Sequence, residues 1–446
     1  MRRYTALIAL CLSVVTAWAV DPAPDGWRTG SPRKEITPAF RYEAKAGRNG
    51  TGAFIIEADA REGLDGYWMK SFSVTGGQYY QFEAWRRLEG AEWPQQSGVV
   101  DIRWTNSNNR VLDDRPLVQN YLKGFTPWVP LDYANDGEDT RGWTRVSAIH
   151  QAPTTATTAE VRLHLRWAAK SRVEWSDVAF RETAAPPPRK ARLATVHFRP
   201  TGKTPERNRE QFEPLIREAA RQKADLVVLP ETLTYYGTGR PMVDLAEPIP
   251  GPSTIYFGSL ARELNLYIVA GLIEREGHLA YNVAVLLDPD GKVAGKYRKV
   301  TLPDGEIEQG LTPGRDYPVF TTRFGVLGMM ICYDGFFPEV ARELTKRGAE
   351  VIAWPVWGCN PELAQARATE NHTYLVSSTY EDISRNWMLS AVWDHTGRTI
   401  GLAKDWGTVA IAEVDLNART RWPSLGDFRS KLQRHTPMVP AGTQFK

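Results

Sequence analysis

The sequence predicts two fold classes in series: an all-β sandwich or jelly roll over residues 25–183, then an α/β domain over 191–446. Three observations carry this. Residues 25–183 consist of short alternating runs bounded by Gly, Asn, Asp and Pro, with weak helical periodicity. A proline-rich stretch at 184–190, Ala184-Ala185-Pro186-Pro187-Pro188-Arg189-Lys190, has the composition of a stiff linker. Beyond it, strand-like and helix-like patterns alternate. At 446 residues the chain is also too long for one ordinary core.

In the first half, alternation predicts strands at 67–74 and 79–85, separated by a turn at Gly76-Gly77, then at 99–104, 161–167 and 173–180. This half also carries Trp27, Trp68, Trp85, Trp93, Trp104, Trp128, Trp143, Trp167 and Trp175. Large rings supply much of the buried area of a sandwich, so they are read as core, with stacking on sugars as the alternative. In the second half, 193–198 is an apolar strand. Over 206–222 the residues Phe212, Leu215, Ile216, Ala219 and Ala220 form one helical stripe. Strands follow at 226–229, 267–272 and 282–287, a turn at Pro289-Asp290-Gly291, a strand at 326–331, a helix at 338–347 and a strand at 350–354. The order implies α/β structure with hairpins rather than a purely parallel sheet.

Composition excludes several functions. The net charge of +3 with 24% charged residues offers no basic stripe for nucleic acid. Arg2 and Arg3, an apolar run over 6–15 and Ala17-Trp18-Ala19 have the form of a cleavable signal peptide over 1–19, so export to the periplasm or outside the cell is expected. Of three cysteines, Cys11 lies in that segment, and Cys332 and Cys359 are too few for a disulfide scaffold. A bridge between the last two or a thiol kept for chemistry are the alternatives. No Cys/His cluster has zinc-ligand spacing, and no metal is expected.

Chemistry concentrates at three strand ends, where α/β folds place catalytic side chains. Glu231 follows the strand 226–229 through Leu229-Pro230; burial there would raise a carboxyl pKa toward that of a general base. Lys299 stands in Tyr297-Arg298-Lys299-Val300. Cys332 sits where an apolar strand turns toward a helix, in Ile331-Cys332-Tyr333-Asp334-Gly335-Phe336-Phe337-Pro338-Glu339. Such a turn exposes the sulfur and frees the Tyr333 N–H to face an oxyanion.

Taken together, Leu-Pro-Glu at 229–231, Tyr-Arg-Lys-Val at 297–300, Thr-Pro-Gly at 312–314 and the Cys332 motif resemble the nitrilase superfamily of carbon–nitrogen hydrolases over about residues 191–415. The resemblance implies an α-β-β-α sandwich and a homo-oligomer. It implies Glu231 as general base, Lys299 as oxyanion stabiliser and Cys332 as nucleophile, with no cofactor and a small-molecule amide or N-carbamoyl substrate. It also implies a second glutamate, Glu306 or Glu308, with Glu308 favoured, and pocket residues Tyr333, Trp357 and Asn360. Cys359 is read as a packing residue, and Arg367, Glu370 and Asn371 as a polar network on one helix face. Tyr333-Asp334 after the cysteine looks more like the amidase and carbamoylase branches than the nitrile-cleaving ones. The stretch 172–178 loosely resembles galactose-binding-like sandwiches, which would make carbohydrate a partner of the first domain. The competing reading is a carbohydrate-binding or surface protein with an inactive hydrolase scaffold. No Gly-x-Ser-x-Gly elbow supports a serine hydrolase, and His197 is read as core.

Overall fold

A computed structural model of the chain describes residues 22–109, 111–116, 131–418, 420–423 and 425–437. The expected signal peptide, Cys11 and Trp128 lie outside the described residues. The rest divides into two compact units. The first holds 22–109, 111–114 and 131–185 together with Pro437, and the second holds 115–116 and the described part of 186–436.

The first unit is an antiparallel sandwich. One sheet runs in the order Arg28–Gly30, Asp65–Ser73, Thr158–Arg166, Val100–Thr105, Asp132–Tyr133. The other runs Ala39–Glu43, Ala53–Glu57, Arg172–Thr183, Tyr79–Glu89, Trp143–Gln151, Asn135–Thr140. Period-two alternation sends Tyr80, Phe82 and Ala84 of one sheet and Ala159, Val161, Leu163 and Leu165 of the other into one core. Trp68, Trp85, Trp104, Trp143 and Trp175 are buried, which is the core reading of these rings; Trp167 is exposed under the Arg166 guanidinium. Beside the core lies a buried ion cluster. Arg162 Nε is 2.7 Å from Asp101 Oδ1, His164 Nε2 is 3.0 Å from Asp101 Oδ2, and His164 Nδ1 is 3.4 Å from Asp65 Oδ1.

The second unit has four layers. Its first sheet runs Val293–Arg298, Leu279–Leu287, Tyr267–Glu276, Leu226–Val228, Lys190–His197, Thr408–Asp415; its second runs Val319–Thr321, Val326–Met329, Val351–Pro355, Tyr374–Ser378, Ala391–Trp393, Thr399–Leu402. Central strands are parallel and edge strands antiparallel, as the hairpin signals imply. Leu193, Val228 and Val269 of the first sheet meet Met329, Ala353 and Val376 of the second in one apolar layer. On the outer face of the first sheet, Ala194, Val227 and Ile268 pack on Phe212 and Ile216 of the helical segment 205–221 and Phe257 of the helix Pro252–Leu264. The helices Pro338–Lys346 and Pro361–Asn371 cover the second sheet. This is the α-β-β-α order.

One element differs from expectation. The helix expected over 206–222 is two helices, Pro205–Glu210 and Glu213–Arg221. Pro214 has no N–H to bond the Glu210 carbonyl, and its ring crowds that oxygen, so the first helix ends there. The apolar stripe survives because Phe212, Leu215, Ile216 and Ala219 all lie at or beyond the break, on the piece that faces the sheet.

Candidate active site

The three strand-end residues converge between the two sheets of the second unit. Glu231 follows Leu226–Val228 after two residues and is 2% exposed. The backbone turns at Thr232, φ 43°, and Gly271 on the adjacent strand lets the turn approach, since a Cβ there would overlap the Glu231 Cα. Glu231 Oε1 accepts from Lys299 Nζ at 2.9 Å and Asn282 Nδ2 at 2.7 Å, and Oε2 accepts from the Trp357 N–H at 2.7 Å. The buried Tyr380 hydroxyl donates to the Glu231 carbonyl.

Lys299 ends Val293–Arg298 and is fully buried. Its Nζ also lies 2.6 Å from Glu306 Oε1. The Thr312-Pro313-Gly314 motif has a backbone reason: the Gly314 N–H donates to the Lys299 carbonyl at 2.7 Å, against a wall of Arg298 backbone that a Cβ would strike.

Cys332 opens a tight turn, Cys332–Phe336, two residues beyond Val326–Met329. Its φ is 39°, a left-handed conformation that a cysteine adopts only when its surroundings enforce it. Asp334 does so. Its buried carboxylate accepts from the Ile331 N–H (2.9 Å), the Thr301 N–H (3.0 Å) and hydroxyl (2.5 Å), and the Tyr297 hydroxyl (2.8 Å). The turn is thereby tied to the loop that carries Lys299. Gly335 is required because a Cβ would enter the Trp354 ring.

The electrostatics follow from burial. Burial raises the Cys332 thiol well above its ordinary range; the Glu231 charge adds to this and Lys299 only partly offsets it. The sulfur donates to the Gly358 carbonyl at 3.3 Å, so the resting group is a thiol and needs a base. Burial alone would lower Lys299, but the carboxylates of Glu231 and Glu306 outweigh it and hold the ammonium charged. Glu306 is pushed up to about 7 by burial and the Glu231 charge, against the pull of Lys299. One buried cation thus faces two carboxylates, and the second titrates close to neutrality.

The remaining residues separate. Glu308 is corrected: it is exposed, and Glu306 is the glutamate at Lys299. Both lie on the single turn Asp304–Glu308, and two residues along a helix is about 200° around it, so only one can face inward. Asn360, expected as a pocket wall, is half-buried and has a structural task. Its side chain caps the helix Pro361–Asn371, accepting from the Glu362 N–H at 2.8 Å. Trp357 stands in the cluster through its N–H, while its ring packs on Tyr236 and Tyr380. Tyr333 is half-buried beside Cys332. Cys332 and Cys359 are both free thiols, and Cys359 is fully buried, its thiol pushed up to about 12 by burial. Arg367 bonds the Gly335 carbonyl (3.1 Å) and Glu370 (2.8 Å), and Asn371 bonds the Arg367 carbonyl (2.9 Å), behind the turn. His197 is buried, 3.0 Å from Ser390 Oγ. Sequence reasoning missed Asn282, Asp334 and Tyr380. Asn282 had a signal: an amide inside the apolar strand Leu279–Leu287 must be buried and bonded. Among the described residues, no group of three or more His, Cys, Asp or Glu is placed to hold a metal.

A half-buried thiol, a buried carboxylate and a buried ammonium come together between the sheets of an α-β-β-α domain. The chain matches the family described as carbon-nitrogen hydrolase over residues 192–424, half its length, and belongs to that family. A nitrilase of Pyrococcus abyssi is 36% identical over 237 residues, 50% of this chain and 90% of the relative. An omega-amidase NIT2 of Mus musculus is 33% identical over 223 residues, 45% of this chain and 80% of the relative. A solved carbon-nitrogen hydrolase from Helicobacter pylori G27 aligns with 26% identity and a TM-score of 0.46, covering 51% of this chain and 90% of that one.

Proposed function

We propose that the protein hydrolyses a small amide or N-carbamoyl compound through a Cys332 thioester, with Glu231 as base and Lys299 as oxyanion partner. The observation that carries this reading is the shared contact of Lys299 Nζ with Glu231 and Glu306 beside a thiol that is protonated at rest. Cys332 Sγ attacks the carbonyl carbon, forming the C–S bond as its proton passes to Glu231 and the C=O pair moves onto oxygen. Lys299 and the Tyr333 N–H stabilise that oxyanion. Collapse breaks the C–N bond, and Glu231 returns the proton to the leaving nitrogen. Water then attacks the thioester, giving its proton to Glu231, and the departing thiolate recovers it. Glu306, raised to about 7 by burial and the Glu231 charge, carries only part of its negative charge near neutrality, which strengthens Lys299 as a partner for the oxyanion. The amidase-type chemistry rests on the omega-amidase relatives and on Tyr333-Asp334 after the cysteine.

The test is ammonia release from amides, N-carbamoyl compounds and nitriles, with Cys332→Ala in parallel. Turnover of an amide or carbamoyl compound should fall at least about 10⁴-fold in the variant, the scale for losing a nucleophile. Turnover confined to nitriles overturns the amidase assignment, and wild-type activity surviving in Cys332→Ala overturns the thioester. The proposal includes export, supported by the basic, apolar and small-x-small pattern of residues 1–19. An exported product still carrying residues 1–19 by mass would refute the cleavage.

A further inference from the structure

Trp387 is 46% exposed and stands between two residues of left-handed backbone. Asn386 before it has φ 50° and Met388 after it has φ 92°, both left-handed and neither a glycine. Met388 is fully buried, so the loop is anchored immediately beside a ring held out toward solvent. Asn386 ends the short turn Ile383–Arg385, where an asparagine adopts this conformation readily, so the strain lies at Met388; strain of that kind persists only when the surroundings over-determine it, and it clusters at functional sites. The indole lies directly on Gly358: a Cβ there would overlap its Nε1. Gly358 is the residue whose carbonyl receives the Cys332 thiol. Trp387 is therefore one residue's thickness from the nucleophile.

It does not stand alone. Its ring is 6.4 Å from Phe336, which is 5.4 Å from Tyr333, which is 5.3 Å from Phe337. Phe336 and Phe337 are 38% and 36% exposed. The result is a continuous run of aromatic faces that starts at the residue after Cys332 and leads outward. A soluble protein rarely leaves such rings together in water without a partner for them. The charged floor made by Glu231, Lys299 and Glu306 suits the polar scissile bond, while the wall suits an apolar substituent attached to it.

We infer that this wall is the substrate-selecting surface: the substrate carries an aromatic or long apolar group that lies along Trp387 and Phe336 while its C–N bond meets Cys332. The inference deepens the amide-hydrolase reading and rests on it for the position of the scissile bond. Trp387 is a specificity-determining residue, and the apolar group belongs to either the acyl or the amine side.

The experiment measures equilibrium binding to the full chain carrying Cys332→Ala, so that it does not depend on turnover. Two pairs are compared: 3-phenylpropionamide against propionamide for the acyl side, and N-benzylacetamide against N-methylacetamide for the amine side. One aromatic member should bind at least about tenfold tighter than its small counterpart, the scale for burying part of a ring. Adding Trp387→Ala should cut that ratio to about two or less, with Trp387→Leu intermediate and Phe336→Ala in the same direction. A purely structural role would weaken both members of a pair and leave the ratio intact. Equal binding within both pairs, or a ratio unmoved by Trp387→Ala, overturns the inference. So does loss of self-association in Trp387→Ala with an unchanged ratio, which would make the wall a protein contact. Aromatic preference without wild-type turnover of any amide leaves the wall standing and removes the hydrolase reading instead.

Discussion

The two units each bury a cluster of charges, and the clusters are built to opposite rules. In the sandwich, Asp101 and Asp65 face Arg162 and His164, two acids against two bases. Burial opposes ionisation of Asp101, but His164 and Arg162 outweigh it and hold that carboxyl below its ordinary value; burial likewise opposes the His164 charge, and Asp101 outweighs it and raises that imidazole. In the hydrolase unit, Lys299 alone faces Glu231 and Glu306, and Glu306 Oε2 and Asn282 Oδ1 are buried without a protein partner. The sandwich set pairs two acids with two bases and leaves no carboxylate in excess. A set with one carboxylate too many and acceptors to spare can exchange a proton and bind something new. The difference separates a structural cluster from a chemical one.

Removing the cation from each cluster breaks the comparison most sharply. Lys299→Met leaves two buried carboxylates facing one another, and loss of one partner from a buried pair costs about 3–5 kcal/mol. Turnover should fall with it, since the oxyanion loses its charged donor. His164→Gln leaves Asp101 with Arg162 and keeps a donor in place, so its cost should be about 1–3 kcal/mol, with turnover unaffected. Hydrogen exchange resolved by unit reads both: protection should drop in the second unit for Lys299→Met and in the first for His164→Gln. Equal losses in the two variants would erase the distinction.

The pH dependence sharpens it next. Glu306 titrates at about 7 when folded against 4.5 as its ordinary value. A raised acid gives stability that is complete below the unfolded pKa and is lost as pH rises through the folded one. The second unit should therefore lose about 3 kcal/mol between pH 4.5 and 7 from this group, at about 1.4 kcal/mol per unit. Glu306→Gln should remove that slope, seen as a difference in Tm against pH between wild type and variant. His164 is raised from 6.5, so its contribution is complete below 6.5 and is lost at higher pH. The two units should thus weaken over different windows. An unchanged slope in Glu306→Gln would mean that the spare proton resides elsewhere in the cluster.

What the sequence made legible divides along physical lines. Glu231, Lys299 and Cys332 each stand at a strand end, but a strand end alone marks many ordinary residues; it was the resemblance of their three motifs, taken together, to the carbon–nitrogen hydrolases that singled them out. Alternation likewise marked Tyr79–Glu89 and Thr158–Arg166 as strands of a sandwich, although their ends ran past 85 and short of 167. Edge strands such as Ala39–Glu43 and Asn135–Thr140 escaped, because their exposed faces leave little hydrophobic period. Helix rotation hid Glu306: Asp304–Glu308 is too short to show a period, and only the fold reveals which carboxyl turns inward. Asp334 was read as part of a motif, whereas its work is to hold the left-handed Cys332 through four donors, a role that depends on Tyr297 and Thr301 arriving from the Lys299 loop.

Asn360 supplies the smallest test and a clean one. From its place in Gly358-Cys359-Asn360 it was expected to line the substrate pocket, yet its amide oxygen accepts the Glu362 N–H at 2.8 Å and its Nδ2 lies 3.2 Å from Glu362 Oε2. The cap occupies the amide oxygen and one of the two Nδ2 hydrogens, which leaves a single N–H for any other partner. Asn360→Ala should cost about 1 kcal/mol, the usual loss for an uncapped helix, and Asn360→Asp should restore most of it because a carboxylate caps equally well. The substrate should not notice either change: KM should move less than about twofold in both variants, while Tm falls only in the alanine one. A rise in KM in both, with Tm unchanged, would return Asn360 to the pocket and show that the cap breaks when substrate binds.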